Sequence, residues 1–197
     1  MAAGVQVDDV IALAEEKCAL HRQAGGMSLR GWLFALTGKA AEAVHVITSG
    51  MTAFQSKGST FYVPIQLSYL GRAYADLGQF EEAWRCVGEA LTVVQTTKER
   101  WYEAEVNRIA GEVALQSPEP NAANAETYFE RALAVARKQQ AKSWELRAAM
   151  SMAGLRRDQG KRNEARELLA PVYGWFTEGF DTLDLKEAKA LLDELHA

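Results

Sequence analysis

The chain has 197 residues, 48% of them hydrophobic, and a formal charge of −4 at neutral pH. That apolar share is enough for a continuous core, and the mild acidity argues against nucleic acid as a partner, which would favour a basic face. No window approaches 18 uninterrupted apolar residues, so no membrane span is expected.

From the N-terminus, MAAGVQVDD lacks a basic stretch leading into an apolar run, which predicts no secretory signal. Asp8-Asp9 precede VIALAEEKCALHRQA, an amphipathic helix over 7–23 with acidic residues where the helix dipole favours them. Ala24-Gly25-Gly26 predicts a break. A first unit, 24–58, then pairs SLRGWLFALTG with KAAEAVHVITSGMTAF. The second unit, 59–98, carries Pro64 in its first turns, where a missing N–H is tolerated, and ends near Thr96-Thr97. Its centre, LGRAYADLGQFEEAWRCVGEAL, reads as two helices folded back through Leu77-Gly78-Gln79. A third unit, 99–140, runs from Glu99-Arg100-Trp101 to Leu115, turns through SPEPNAAN, and returns as AETYFERALAVARKQQ. The fourth, 141–174, is the least regular, with Pro171 expected to kink or end its second helix. GWFTEGFDT predicts a turn with Trp175 and Phe176 packed inward. Asp181 or Thr182 then caps a closing helix over 182–196, with Leu185, Ala188, Leu192 and Leu195 on one face.

These units share a register. A small residue recurs in the first helix as Gly31, Gly71, Gly111 and Ala153, spaced by 40, 40 and 42, and in the second as Ala43, Ala83, Ala125 and Ala165, spaced by 40, 42 and 40. A turn glycine recurs as Gly38, Gly78 and Gly160. The pattern Leu70-Gly71-x-x-Tyr74, Gly78, Ala83, Ala90 is that of a tetratricopeptide helix pair. A glycine inside a helix costs roughly 1 kcal/mol relative to alanine, so Gly71 implies close approach, facing Ala83 where axes cross at ~8–10 Å. The period exceeds the usual 34 residues, which predicts helices of about 16–19 residues, each roughly 25 Å long. The expected fold is all-α: a right-handed α-α superhelix, a tetratricopeptide-like solenoid, of about four long helix pairs with a helix at each end.

No catalytic or cofactor constellation emerges. Thr37-Gly38-Lys39 resembles the end of a phosphate loop, but Leu33 and Ala40 stand where that loop needs a glycine and a hydroxyl. His21, His45 and His196 have no second ligand at helical spacing, and Cys18 and Cys86 have no CxxC partner. Two buried thiols in a reducing cytoplasm is the expectation. Glu15/Glu16 and Glu81/Glu82 read as solvated charge. Trp84 reads as interhelical core, whereas Trp101 and Trp144, at matching places in two units, suit either core or a groove. No enzyme activity, metal or cofactor is therefore expected.

The groove-facing positions of such repeats, counted from the crossing residue, select Ser28 and Trp32; Ser68, Arg72 and Asp76; Glu105, Arg108 and Glu112; and Arg147 and Met150. Arg72 and Arg108 stand out because guanidinium forks pair with carboxylates of an acidic peptide. Arg108, with Glu105 at i−3 and Glu112 at i+4, equally suits pairing along its own helix. The runs KERWYEAEVNRIAGE, QQAKSWELRAAMSMAGL and RDQGKRNEARELLAPVYGWFTEGFDTLDLKEAKALLDEL, with LRGWLFALTGKAAEAV upstream, resemble the repeat tail of bacterial class III adenylate/guanylate cyclase–ATPase signalling proteins. The resemblance implies a cytoplasmic regulatory module in signal transduction, with the cyclase or NTPase domains of a longer parent among its partners. Cyclase aspartates and a phosphate loop are missing, so no activity carries over. The expected function is protein or peptide binding, with a small-ligand or signalling-peptide sensor as the alternative.

Overall fold

Helix α1 (Leu20–Leu36) passes straight through Ala24-Gly25-Gly26, where the sequence predicted a break. Two glycines lower helix propensity without blocking the backbone, and packing of α1 on its neighbours carries the helix across them. The computed structural model describes residues 9, 12, 20–55 and 62–196. The rest of the expected 7–23 helix, Cys18 included, and the end of the first unit near 57–59 lie outside them. The remaining helices are α2 (Ala40–Gln55), α3 (Val63–Asp76), α4 (Phe80–Thr97), α5 (Glu103–Gln116), α6 (Ala122–Lys138), α7 (Lys142–Asp158), α8 (Arg162–Tyr173) and α9 (Leu183–His196). Among the described residues the chain is all-α, without strands.

Consecutive helices pair as hairpins: α1 with α2, α3 with α4, α5 with α6, α7 with α8. Three hairpin turns place a glycine in the left-handed region, Gly38, Gly78 and Gly160, at φ 76°, 74° and 78°. In each, the next amide reaches back to the carbonyl five residues earlier: Lys39 to Phe34 at 2.9 Å, Gln79 to Tyr74 at 2.8 Å, Lys161 to Arg156 at 2.8 Å. This is the glycine-terminated helix end that satisfies orphan carbonyls. The same closure joins α6 to α7, Ala141 to Ala136 at 2.9 Å, but there Gln140 takes φ 54°. The α5–α6 turn differs: Asn121 accepts from the Asn124 amide at 2.9 Å and caps α6.

The crossings explain the small residues. A Cβ on Gly71 would lie 3.0 Å from the Ala83 carbonyl oxygen and 3.1 Å from a Val87 methyl. On Gly31 it would meet Ile47 at 2.5 Å, and on Gly111 the Phe129 ring at 2.4 Å. Ile47, Val87 and Phe129 each follow the expected alanine partner by one helical turn. Ala43, Ala83, Ala125 and Ala165 are themselves fully buried.

The chain divides into two compact units, 1–98 and 99–197. In the first, α1 packs on α2 and α3, and α3 on α4, around Ile47, Ile65, Val87 and Val94. In the second, α5 packs on α6 and α7, and α7 on α8 and α9, around Ile109, Phe129, Leu146, Met152 and Leu169. Helix α9 buries Leu185, Ala188, Leu192 and Leu195, the face the sequence marked. Several repeat helices fall short of the expected 16–19 residues: α3 and α5 have 14 and α8 has 12. Part of the long period goes into connections instead, notably 98–102 and 117–121.

Candidate functional site

Residue 105 and residue 147 hold the same register position in successive units, and they carry opposite charge. That spacing brings Arg147 Nη2 to 3.0 Å from Glu105 Oε1 across the α5–α7 seam. Arg108, one turn on from Glu105, clasps it with two bonds, Nε at 2.7 Å and Nη2 at 2.8 Å. Its remaining fork arm donates to Glu112 Oε1, and Ser151 Oγ lies 3.3 Å from both Arg108 Nη1 and Glu112 Oε1. On the far side, Arg147 Nε lies 4.0 Å from Asp184 of α9, and its guanidinium sits 5.5 Å from the Trp144 ring centroid. One polar network thus ties α5, α7 and α9 together.

The network is internal. The Glu105 and Arg108 side chains are 1% and 5% exposed, so of the two readings the sequence left for Arg108, its side chain takes the pairing along its own helix. Burial favours this because an ion pair taken out of water needs every lone pair and proton engaged, and the two-pronged Arg–carboxylate geometry does that. Glu112 and Arg147 are partly exposed at its edge.

The other expected positions scatter. Ser28 is buried, accepting from Gln66 Nε2 at 2.6 Å, and Ser68 is buried, donating to the Ile65 carbonyl at 2.9 Å. Both close contacts inside the first unit rather than lining an open face. Trp32 is half-buried, stacked on Tyr69 with centroids 5.9 Å apart and edge-on to Tyr62. Arg72 and Met150 are half-buried and Asp76 is exposed.

The aromatics are wetter than the sequence suggested. Trp175 is 57% exposed, against the expectation of inward packing, and Phe176 beside it is half-buried. The Lys142 ammonium lies 5.6 Å from the Trp175 ring centroid, so a cation covers the ring where core was expected. Trp84 is half-buried, Trp101 is 40% exposed, and Tyr102 bridges Trp101 to Trp144 at 3.9 and 5.3 Å.

Sequence reasoning missed a second charge cluster. Buried Glu145 accepts from Lys142 at 2.7 Å and from Arg137 of α6 at 3.0 Å. Burial pushes its carboxyl up, and those two bonds outweigh the push and hold it below its ordinary value. The Lys142–Glu145 spacing was legible as an i,i+3 pair; Arg137 enters only through the α6–α7 turn. Burial pushes the Cys86 thiol up to about 11, so it stays protonated and unreactive near neutral pH. Among the described residues no cluster of His, Cys, Asp or Glu is placed to hold a metal, and no helix is long and apolar enough to cross a membrane. Neither a protein-family model nor a curated protein sequence matches the chain.

Proposed function

We propose that the chain is a non-catalytic docking module, a tetratricopeptide-like superhelix whose first helices offer a groove to a protein or peptide. The carrying observation is recurrence: a close glycine crossing at the same register in three hairpins, and first helices packed side by side within each unit, α1 on α3 and α5 on α7. Repeat arrays of this kind bind along the face their first helices share. Burial of Ser28, Ser68, Glu105 and Arg108 narrows the contact residues to Trp32, Arg72, Asp76, Glu112, Arg147 and Met150. Arg72 is the lead candidate for an acidic partner. The resemblance to cyclase–ATPase signalling proteins makes the catalytic domains of such a parent the natural partner, in the cytoplasm.

The test is affinity capture by the full chain from lysate before and after removal of macromolecules, followed by calorimetry on the recovered partner at low salt. Parent chain should capture a macromolecule, and Arg72→Glu should weaken it at least tenfold with helicity retained. Unaltered affinity moves the site off this face. Stabilisation by the small-molecule fraction alone favours the sensor reading instead, and saturable ATP or GTP hydrolysis, or cyclic nucleotide formation, by a clean preparation overturns a non-catalytic role.

A further inference from the structure

Where α7 and α9 begin, the 174–182 connection folds over a cavity of about 230 Å³ in the second unit. Its apolar surface comes from Leu146, Leu185 and Phe176, the first two buried in the core. Its polar surface carries two carboxylates, Glu178 and Asp184, and two hydroxyls, Ser143 and Thr182. Among the described residues no lysine, arginine or histidine lines it.

Size comes first. Pockets that enclose a drug-sized ligand or cofactor run to ~300–1,000 Å³, so this one suits a group no larger than a single long side chain. Charge comes next. The starts of α7 and α9 each present about half a positive charge, which two full carboxylates outweigh. Of the cations nearby, Lys142 lies 2.7 Å from Glu145, and Arg147 is held at 3.0 Å by Glu105 and reaches Asp184 only at 4.0 Å, which leaves Glu178 as the carboxylate without a cation at its side in the lining and Asp184 only partly offset. The Thr182 hydroxyl donates to the Gly179 carbonyl at 2.7 Å, which leaves its oxygen to accept. Acceptors at the mouth over an aliphatic and aromatic floor match a cation on a hydrocarbon stem, stem against Leu146 and Leu185, charge toward Glu178 and Asp184.

We infer that this cavity binds an aliphatic ammonium group, the chemistry shared by a small alkylamine and a lysine side chain. Arg147, which reaches Asp184 at 4.0 Å, also belongs to the docking residues, but the docking reading is led by Arg72 in the other unit, so failure here leaves that reading standing.

The experiment is calorimetry on the full chain at low salt with n-butylammonium, and with 1-butanol and butyrate as neutral and anionic counterparts. Butylammonium should bind saturably and at least fivefold more tightly than either counterpart. Glu178→Gln, on the exposed connection, and Asp184→Asn should each weaken it at least threefold. A peptide carrying one lysine distinguishes the sources: tighter binding than butylammonium assigns a side chain, equal or weaker binding a free amine, and both orders uphold the chemistry. Butylammonium binding no better than butanol, or binding unchanged in Glu178→Gln, overturns the inference.

Discussion

At Gly71 a single hydrogen decides whether two helices meet. A leucine there would drive its Cβ to 3.0 Å from a backbone oxygen, which cannot swing aside as a side chain would. Gly71→Leu is therefore expected to cost at least the ~1–3 kcal/mol of core overpacking, seen as a lower midpoint in thermal unfolding followed by circular dichroism. A melt within a degree or two of the parent would refute the crossing. The arginines offer a contrast of environment. Arg108 is buried with Glu105, so Arg108→Ala leaves that carboxylate out of water with Arg147 as its remaining cation, and should cost up to about 3–5 kcal/mol. Arg85 pairs with Glu82 at 2.8 Å but is 58% exposed, and Arg85→Ala should cost ~0–1 kcal/mol. Urea unfolding of both variants checks the ranking; equal losses would contradict it.

At the scale of the element, one turn departs from the pattern of its siblings. Gln140 takes a left-handed φ of 54° where Gly38, Gly78 and Gly160 do the same with no side chain to strain. A side chain in that region costs ~1–2 kcal/mol, part of which glycine gives back as unfolded-state entropy. Gln140→Gly should raise the unfolding midpoint slightly, and a fall would mean the glutamine side chain holds the turn. The closing helix is the second case. Helix α9 packs on α7 and α8 through four buried apolar residues. A chain ending at Gly179 should aggregate or melt clearly lower, because Leu169 and Val172 lose cover. An equally stable, monomeric truncation would make α9 a detachable tail.

For the molecule as a whole, the division after Lys98 has a physical consequence. The second unit holds its own core, both charge clusters and the helix that ends it. Residues 99–197 expressed alone should be helical and unfold cooperatively, checked by circular dichroism and by coincident transitions under two probes. A non-cooperative melt would mean the unit needs the rest of the chain.

The period of 40 to 42 residues was readable without any structure, because the crossings favour a small residue and three of the four hairpin turns take a left-handed backbone, and both demands leave glycine or alanine at fixed spacing. The apolar face of α9 was legible for the same reason: helical periodicity is a local property. Burial of polar residues was not. Ser28, Ser68 and Arg108 occupy positions that helix geometry alone places on one face, and whether that face meets water depends on how closely the neighbouring helix approaches. Trp175 shows the converse, an aromatic whose hydrophobicity predicted core and which a surface connection left exposed. The sequence by itself determined where paired helices cross and where three of the hairpins turn, since those are set within one hairpin, but not that α1 runs on through Gly25-Gly26. Only tertiary structure decided which charges pair, because Glu105 and Arg147 stand 42 residues apart and meet only when α5 and α7 lie side by side.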